Sequence, residues 1–190
     1  TTAAAGGNVF LESVIGRENS PTKALFAFTG INAYIRDLNT EGHGIGILND
    51  NSKVWVLGHK TEAYSTKMKT INGGFTELLG GVFRQTYSLA EQIFRNISAD
   101  STPLFILENG NASLHYRNSD CYGESQRIDG YEFGQYWYKY SVFETRGTET
   151  RKLLRSKPMC GAVTLYTRYS TPPPTSTCPS WKATPMRPCG

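Results

Sequence analysis

Two β-rich runs on either side of four turn-forming residues constrain this chain most. They are Gly42-His43-Gly44-Ile45-Gly46-Ile47-Leu48, then Asn49-Asp50-Asn51-Ser52, then Lys53-Val54-Trp55-Val56-Leu57-Gly58-His59. β-Branched and aromatic residues flanking a polar cluster predict an antiparallel hairpin. A two-residue loop at Asp50-Asn51 sets Ile47 opposite Val54 and Ile45 opposite Val56, with Trp55 and Leu57 on the other face. A three-residue loop from Asp50 to Ser52 sets His43 opposite His59 instead. The glycines at 42, 44, 46 and 58 strip side chains from the outer end, as at a sheet-edge bend or where a backbone or ligand approaches closely.

A second hairpin is predicted where Leu104 to Glu108 and Asn111 to Arg117 flank Asn109-Gly110, both tolerant of the positive φ that a type I′ turn needs. That register sets Phe105 opposite Leu114. Between the two hairpins, Lys60 to Thr70 is polar and reads as a loop. Phe75, Leu78, Leu79, Val82, Phe83, Thr86, Leu89, Ala90, Ile93, Phe94 and Ile97 then follow a helical period. Gly80 and Gly81 interrupt that period, and Ser88 with Glu91 forms a capping box, so the secure helix is expected from about Leu89 to Ile97, preceded by either a loose helical turn or a strand. Ala24 to Phe28 reads as a strand, Val9 to Ile15 as a strand or short helix, Tyr131 to Tyr140 as a long aromatic strand, Thr148 to Leu154 as a helical turn and Gly161 to Tyr169 as a last strand. The expected fold class is α+β: a mainly antiparallel sheet of two hairpins plus later strands, with one principal helix packed on it.

The chain has 190 residues and reads as a single domain over residues 1–170, followed by a Pro-rich tail over 171–190 that begins Thr171-Pro172-Pro173-Pro174. Its formal charge of +4 is spread over scattered basic residues, which permits nucleic-acid binding without indicating it. Cys121, Cys160, Cys178 and Cys189 lack the close spacing of a metal knuckle, and an even number of them reads as two disulfides. Of three connectivities, Cys121 with Cys160 and Cys178 with Cys189 close the shorter loops and are favoured; the second pair would cap the tail. Asn96-Ile97-Ser98 and Asn111-Ala112-Ser113 are acceptors for N-linked glycan. Together with the cysteines they point to a secreted, extracellular or lumenal protein. No run approaches a bilayer span and no signal peptide is visible, so membrane insertion of this chain is not expected.

The stretch from Gly42-His43 through Gly46-Ile47-Leu48 to Val54-Trp55-Val56-Leu57 resembles the hairpin carrying the first half-site of the deoxyribonuclease II family. The likeness extends over roughly residues 24–107, with Leu25 to Phe28 as the preceding strand and Leu78-Leu79 to Ile97 as the following strand and helix. It implies metal-free phosphodiester hydrolysis in an acidic compartment, using a His-x-Lys pair from each of two half-sites. His43 matches the histidine, but Ile45 stands at the lysine position and no second His-x-Lys occurs. The resemblance therefore implies a site that is degenerate or shared with another chain.

Other catalytic signatures are absent: there is no Gly-x-Ser-x-Gly elbow, phosphate loop or dinucleotide fingerprint. His43, His59 and His115 would need the fold to bring them together to bind a metal, and no cofactor is expected. The aromatic run supplies the expected binding surface, with Tyr136, Trp137, Tyr138 and Tyr140 bringing apolar area and polar tips, and with Arg117 and Lys139 as a positive rim. The chain thus reads as a non-catalytic secreted or surface glycoprotein domain that binds an extracellular protein or glycan, as in a host-pathogen contact, or another subunit of the same assembly. A secreted phosphodiesterase using His43, with nucleic acid as its substrate, is the alternative.

Overall fold

The computed structural model describes residues 6–20, 22–42, 44–61, 65–83, 102–118, 126–128, 131–133, 140–154 and 163–168. Among them every regular element is a β-strand. Sheet A contains, in spatial order, β1 (Asn8–Glu18), β3 (Asn32–Gly42), β5 (Lys53–Thr61), β7 (Phe75–Phe83), β9 (Asn111–Asn118) and β14 (Val163–Arg168). Sheet B runs β13 (Glu149–Leu154), β12 (Tyr140–Arg146), β8 (Phe105–Glu108), β6 (Met68–Ile71), β4 (Ile45–Asp50) and β2 (Ala24–Thr29). β10 (Gln126–Ile128) and β11 (Tyr131–Phe133) form a separate antiparallel pair. From β1 to β9 the chain alternates between the sheets, and each strand pairs in parallel with the strand two elements away. The result is a β-solenoid-like coil: Asn32 lies beside Lys53 and Lys53 beside Phe75, so these rungs are 21 and 22 residues apart.

The turns explain why strands that are neighbours in sequence do not pair. Gly30, Asn51, Asn72 and Asn109 have φ of 66°, 49°, 54° and 52°, the left-handed region that glycine and asparagine tolerate best. They stack from rung to rung: Gly30 N–H donates to Asp50 O at 3.1 Å, Asn51 N–H to Ile71 O at 3.1 Å, Asn72 N–H to Glu108 O at 3.1 Å and Asn109 N–H to Thr145 O at 2.8 Å. Each turn carries the chain across the core into the other sheet. β4 therefore pairs with β2 and β6, and β5 with β3 and β7, so the expected hairpin around Asn49 to Ser52 is replaced by an arc between sheets. The Asn109-Gly110 hairpin is corrected in the same way, because Phe105 lies beside Met68 and Val142, and Leu114 beside Leu78 and Tyr166.

A second column of left-handed residues bends the long strands of sheet A. Ser13, Asp37, Gly58 and Gly80 have φ of 51°, 56°, 78° and 79°, and occupy the unpaired step between Glu12/Arg36/Leu57/Leu79 and Val14/Leu38/His59/Gly81. Ser13 Oγ donates to Asp37 Oδ2 at 3.1 Å across the first step. Gly80 and Gly81 thus mark a bend within a strand, not a flaw in a helix. The expected α+β class is overturned here: the described residues contain no helix, β7 takes the strand alternative over the first part of the apolar run, and the residues expected as a helical turn form β13. The secure helix expected from Leu89 to Ile97 lies outside the described residues, as do the tail and all four cysteines.

Between the sheets, inward side chains stack in columns, among them Ile35, Val56, Leu78 and Leu114 from sheet A and Ile47, Met68, Phe105 and Val142 from sheet B. At the Gly30–Asn109 turns the core is polar and paired. Asn49, fully buried, donates through Nδ2 to Phe75 O and Thr76 Oγ1, each at 2.8 Å, and accepts from Ser52 N–H at 3.0 Å through Oδ1. The last rung is closed by buried Glu144, which accepts from Arg146 Nε at 2.7 Å and from Tyr166 Oη at 3.3 Å, joining the sheets. Asn49→Ala removes three hydrogen bonds from a buried turn, with Thr76 Oγ1 keeping Thr70, so a loss of about 2–4 kcal/mol is expected. Urea unfolding with an unchanged m-value checks it.

Candidate functional site

Alternation along sheet A sends every second side chain outward, and parallel pairing stacks equivalent positions. One outward column is Phe10, Tyr34, Trp55, Glu77 and Ser113; the next is Glu12, Arg36, Leu57, Leu79 and His115. The first column forms an aromatic ladder. Phe10 and Tyr34 have centroids 5.0 Å apart and planes 13° apart, and Tyr34 and Trp55 4.8 Å and 4°; Trp55 then meets Phe75 edge-on at 6.2 Å. Such offset stacks add roughly 0.5–1.5 kcal/mol per pair beyond the area they cover.

The two columns wall a groove of about 440 Å³ that runs along the solenoid axis. Its first wall ends in the half-buried residue Glu77. In the second wall, exposed Arg36 and Glu12 form an ion pair, and the Glu12 hydrogen bond and charge raise the guanidinium pKa further. Leu57 and Leu79 continue that wall with 57% and 46% of their surfaces exposed. The groove therefore offers apolar area, a self-neutralised ion pair and one further carboxylate. Among the described residues no group of His, Cys, Asp or Glu is placed to hold a metal ion.

The histidines do not converge. His59 lies inside the solenoid, between Leu38 and Gly81 in register, and is 2% exposed. Its Nε2 shares a 2.8 Å hydrogen bond with Thr40 Oγ1, its ring meets Phe83 edge-on, and its Nδ1 has no partner among the described residues. Burial, assisted by the nearby charge of Lys67, pushes the imidazole down to about 3. His115 is on the outside of β9. His43 lies outside the described residues, and the pairing of His43 with His59 across a hairpin is excluded because β4 and β5 belong to different sheets.

Of the expected binding residues, Tyr136, Trp137, Tyr138 and Lys139 lie outside the described residues. The backbone of Arg117 is in β9 on sheet A and that of Tyr140 in β12 on sheet B. Asn111 opens β9 half-buried, with Arg146 Nη2 3.4 Å from its Oδ1, and Asn96 is outside the described residues. Sequence reasoning missed the Phe10–Tyr34–Trp55 ladder. Its signal was the similar spacing of three aromatic residues, each two positions after an asparagine or lysine that opens a strand stretch. Comparisons of the chain with protein-family models, with curated proteins and with solved structures found no match.

Because the folded pKa of His59 lies below the unfolded value near 6.5, its stabilising contribution is complete above pH 6.5 and is lost as pH falls towards 3. Between pH 7 and pH 5 this one group is expected to remove about 2 kcal/mol. His59→Gln should flatten that part of the profile, read as the urea midpoint against pH.

Proposed function

We propose that this chain is a secreted or surface glycoprotein domain that binds a protein partner without catalysis, through the outward face of sheet A. One observation carries the reading: all the large hydrophobic side chains strongly exposed among the described residues, Phe10, Ile15, Tyr34, Leu57, Leu79 and Val82, project from sheet A and none from sheet B. Phe10, Tyr34, Leu57 and Leu79 are joined by register through Trp55 into one patch, whereas scattered apolar residues would carry no such meaning. Aromatic residues and an arginine at the centre of an apolar patch are the composition of a protein contact surface.

A protein suits this face better than a glycan. Sugar rings pack their C–H bonds on exposed aromatic faces, but Tyr34 has both faces covered by Phe10 and Trp55, and the ladder turns ring edges outward. The even cysteines and two sequons support an extracellular setting.

The test uses fluorescent tetramers of the glycosylated protein on a panel of cultured cells and on a glycan array. Staining that disappears after trypsin treatment of the cells, and that falls at least about tenfold with Leu57→Asp/Leu79→Asp, is the expected result. Array binding that survives the double substitution would overturn the reading in favour of a glycan bound elsewhere.

A further inference from the structure

The groove on sheet A carries a charge opposite to that of the chain. Glu12 and Arg36 neutralise each other, and Glu77 leaves one net negative charge in a groove on a protein of net charge +4. Glu77 is half-buried, yet has no hydrogen-bond or ion-pair partner among the described residues. Its carboxylate is the one charge lining the groove that no described residue offsets. Its surroundings specify what would offset it. Trp55 stands beside it on the preceding rung, and the Ser113 position beside it on the next; Phe75 precedes it on the same face of β7, and Leu57 and Leu79 form the apolar wall opposite.

We infer that this end of the groove seats an arginine side chain of the protein partner, an inference that rests on the protein-binding reading above. A guanidinium supplies two parallel N–H donors to one carboxylate, while its flat cation fits along the outward edge of the Trp55 indole. Its three methylenes lie along the leucine wall while the charged head meets Glu77. An ammonium group matches the charge, but neither the bidentate geometry nor the flat shape. An acidic segment is repelled by the net charge of the groove, and a purely apolar one would cover Glu77 and leave it unpaired.

The test titrates the intact protein with N-acetyl-Leu-Arg-Leu-amide, following the indole N–H resonance of Trp55, which Trp55→Phe identifies among the three tryptophans. Citrulline and lysine analogues of the peptide serve as the other arms. A saturable shift with the arginine peptide, weakened about tenfold or more by the isosteric neutral citrulline and by Glu77→Gln, and less by lysine, is expected. The citrulline arm needs no variant to fold. Equal shifts from arginine and citrulline, unchanged binding to Glu77→Gln, or no saturable shift at millimolar peptide would overturn the assignment. Loss of cell staining in Leu57→Asp/Leu79→Asp alongside any of these would leave the protein-binding surface standing and remove the arginine alone. Trypsin-resistant staining would remove the surface reading itself.

Discussion

The structure depends on the stacking of left-handed residues at the same place in successive coils. A turn that only reverses the chain gives a hairpin; one that crosses the core and recurs at the same place in each coil, after 21, 21 and 37 residues from Gly30 to Asn109, gives a solenoid. Gly30, Asn51, Asn72 and Asn109 do this at one corner, while Ser13, Asp37, Gly58 and Gly80 bend sheet A at another. Each column fixes register at its own step, and fixed register is what lets inward and outward side chains line up. The apolar interior, the aromatic ladder and the groove all follow from that alignment.

The columns also explain how polar groups come to lie inside. Asn49 is the inward residue just before a corner, in line with Thr70 and Leu107; its Oδ1 accepts from Ser52 N–H in its own turn and its Nδ2 donates to Phe75 O of β7 on the next coil. Thr70 and Thr76 share a 2.7 Å hydrogen bond beside it. Beyond the other bend, His59, Thr40, Thr61 and Lys67 form a second buried polar region, with Lys67 Nζ 3.5 Å from Thr61 Oγ1. Polar pairing at the corners and apolar stacking along the faces give each rung a unique position relative to the next.

Several strand locations and turn residues were legible in the sequence, but β6 lies where a loop was expected, β13 where a helical turn was, and the pairing partners were not legible. The asparagine-centred clusters at 51 and 109 are turns, and Ala24 to Phe28 and the region from Gly161 to Tyr169 contain strands. The hairpin reading failed because local turn chemistry does not state whether the flanking strands meet side by side or face each other across a core. Only the recurrence of Gly30, Asn51 and Asn72 at equal intervals separates those cases. The 3.6-residue period read through Phe75 to Phe83, which left a loose helical turn or a strand open, belongs to a strand with apolar residues on both faces, Leu78 and Phe83 inward and Leu79 and Val82 outward. The groove was illegible for the same reason as the pairing: Tyr34, Trp55 and Glu77 become neighbours only when rungs stack.

In an array where each coil touches only its neighbours, order passes from rung to rung. Phe10, 75% exposed, belongs both to the ladder and to β1, which among the described residues is paired on one side, with β3. A ligand packed against the ladder would draw on the order of that coil. Binding at the groove and amide protection along β1 would then be two readings of one equilibrium, and that coil would set how much of the groove is ready before anything arrives.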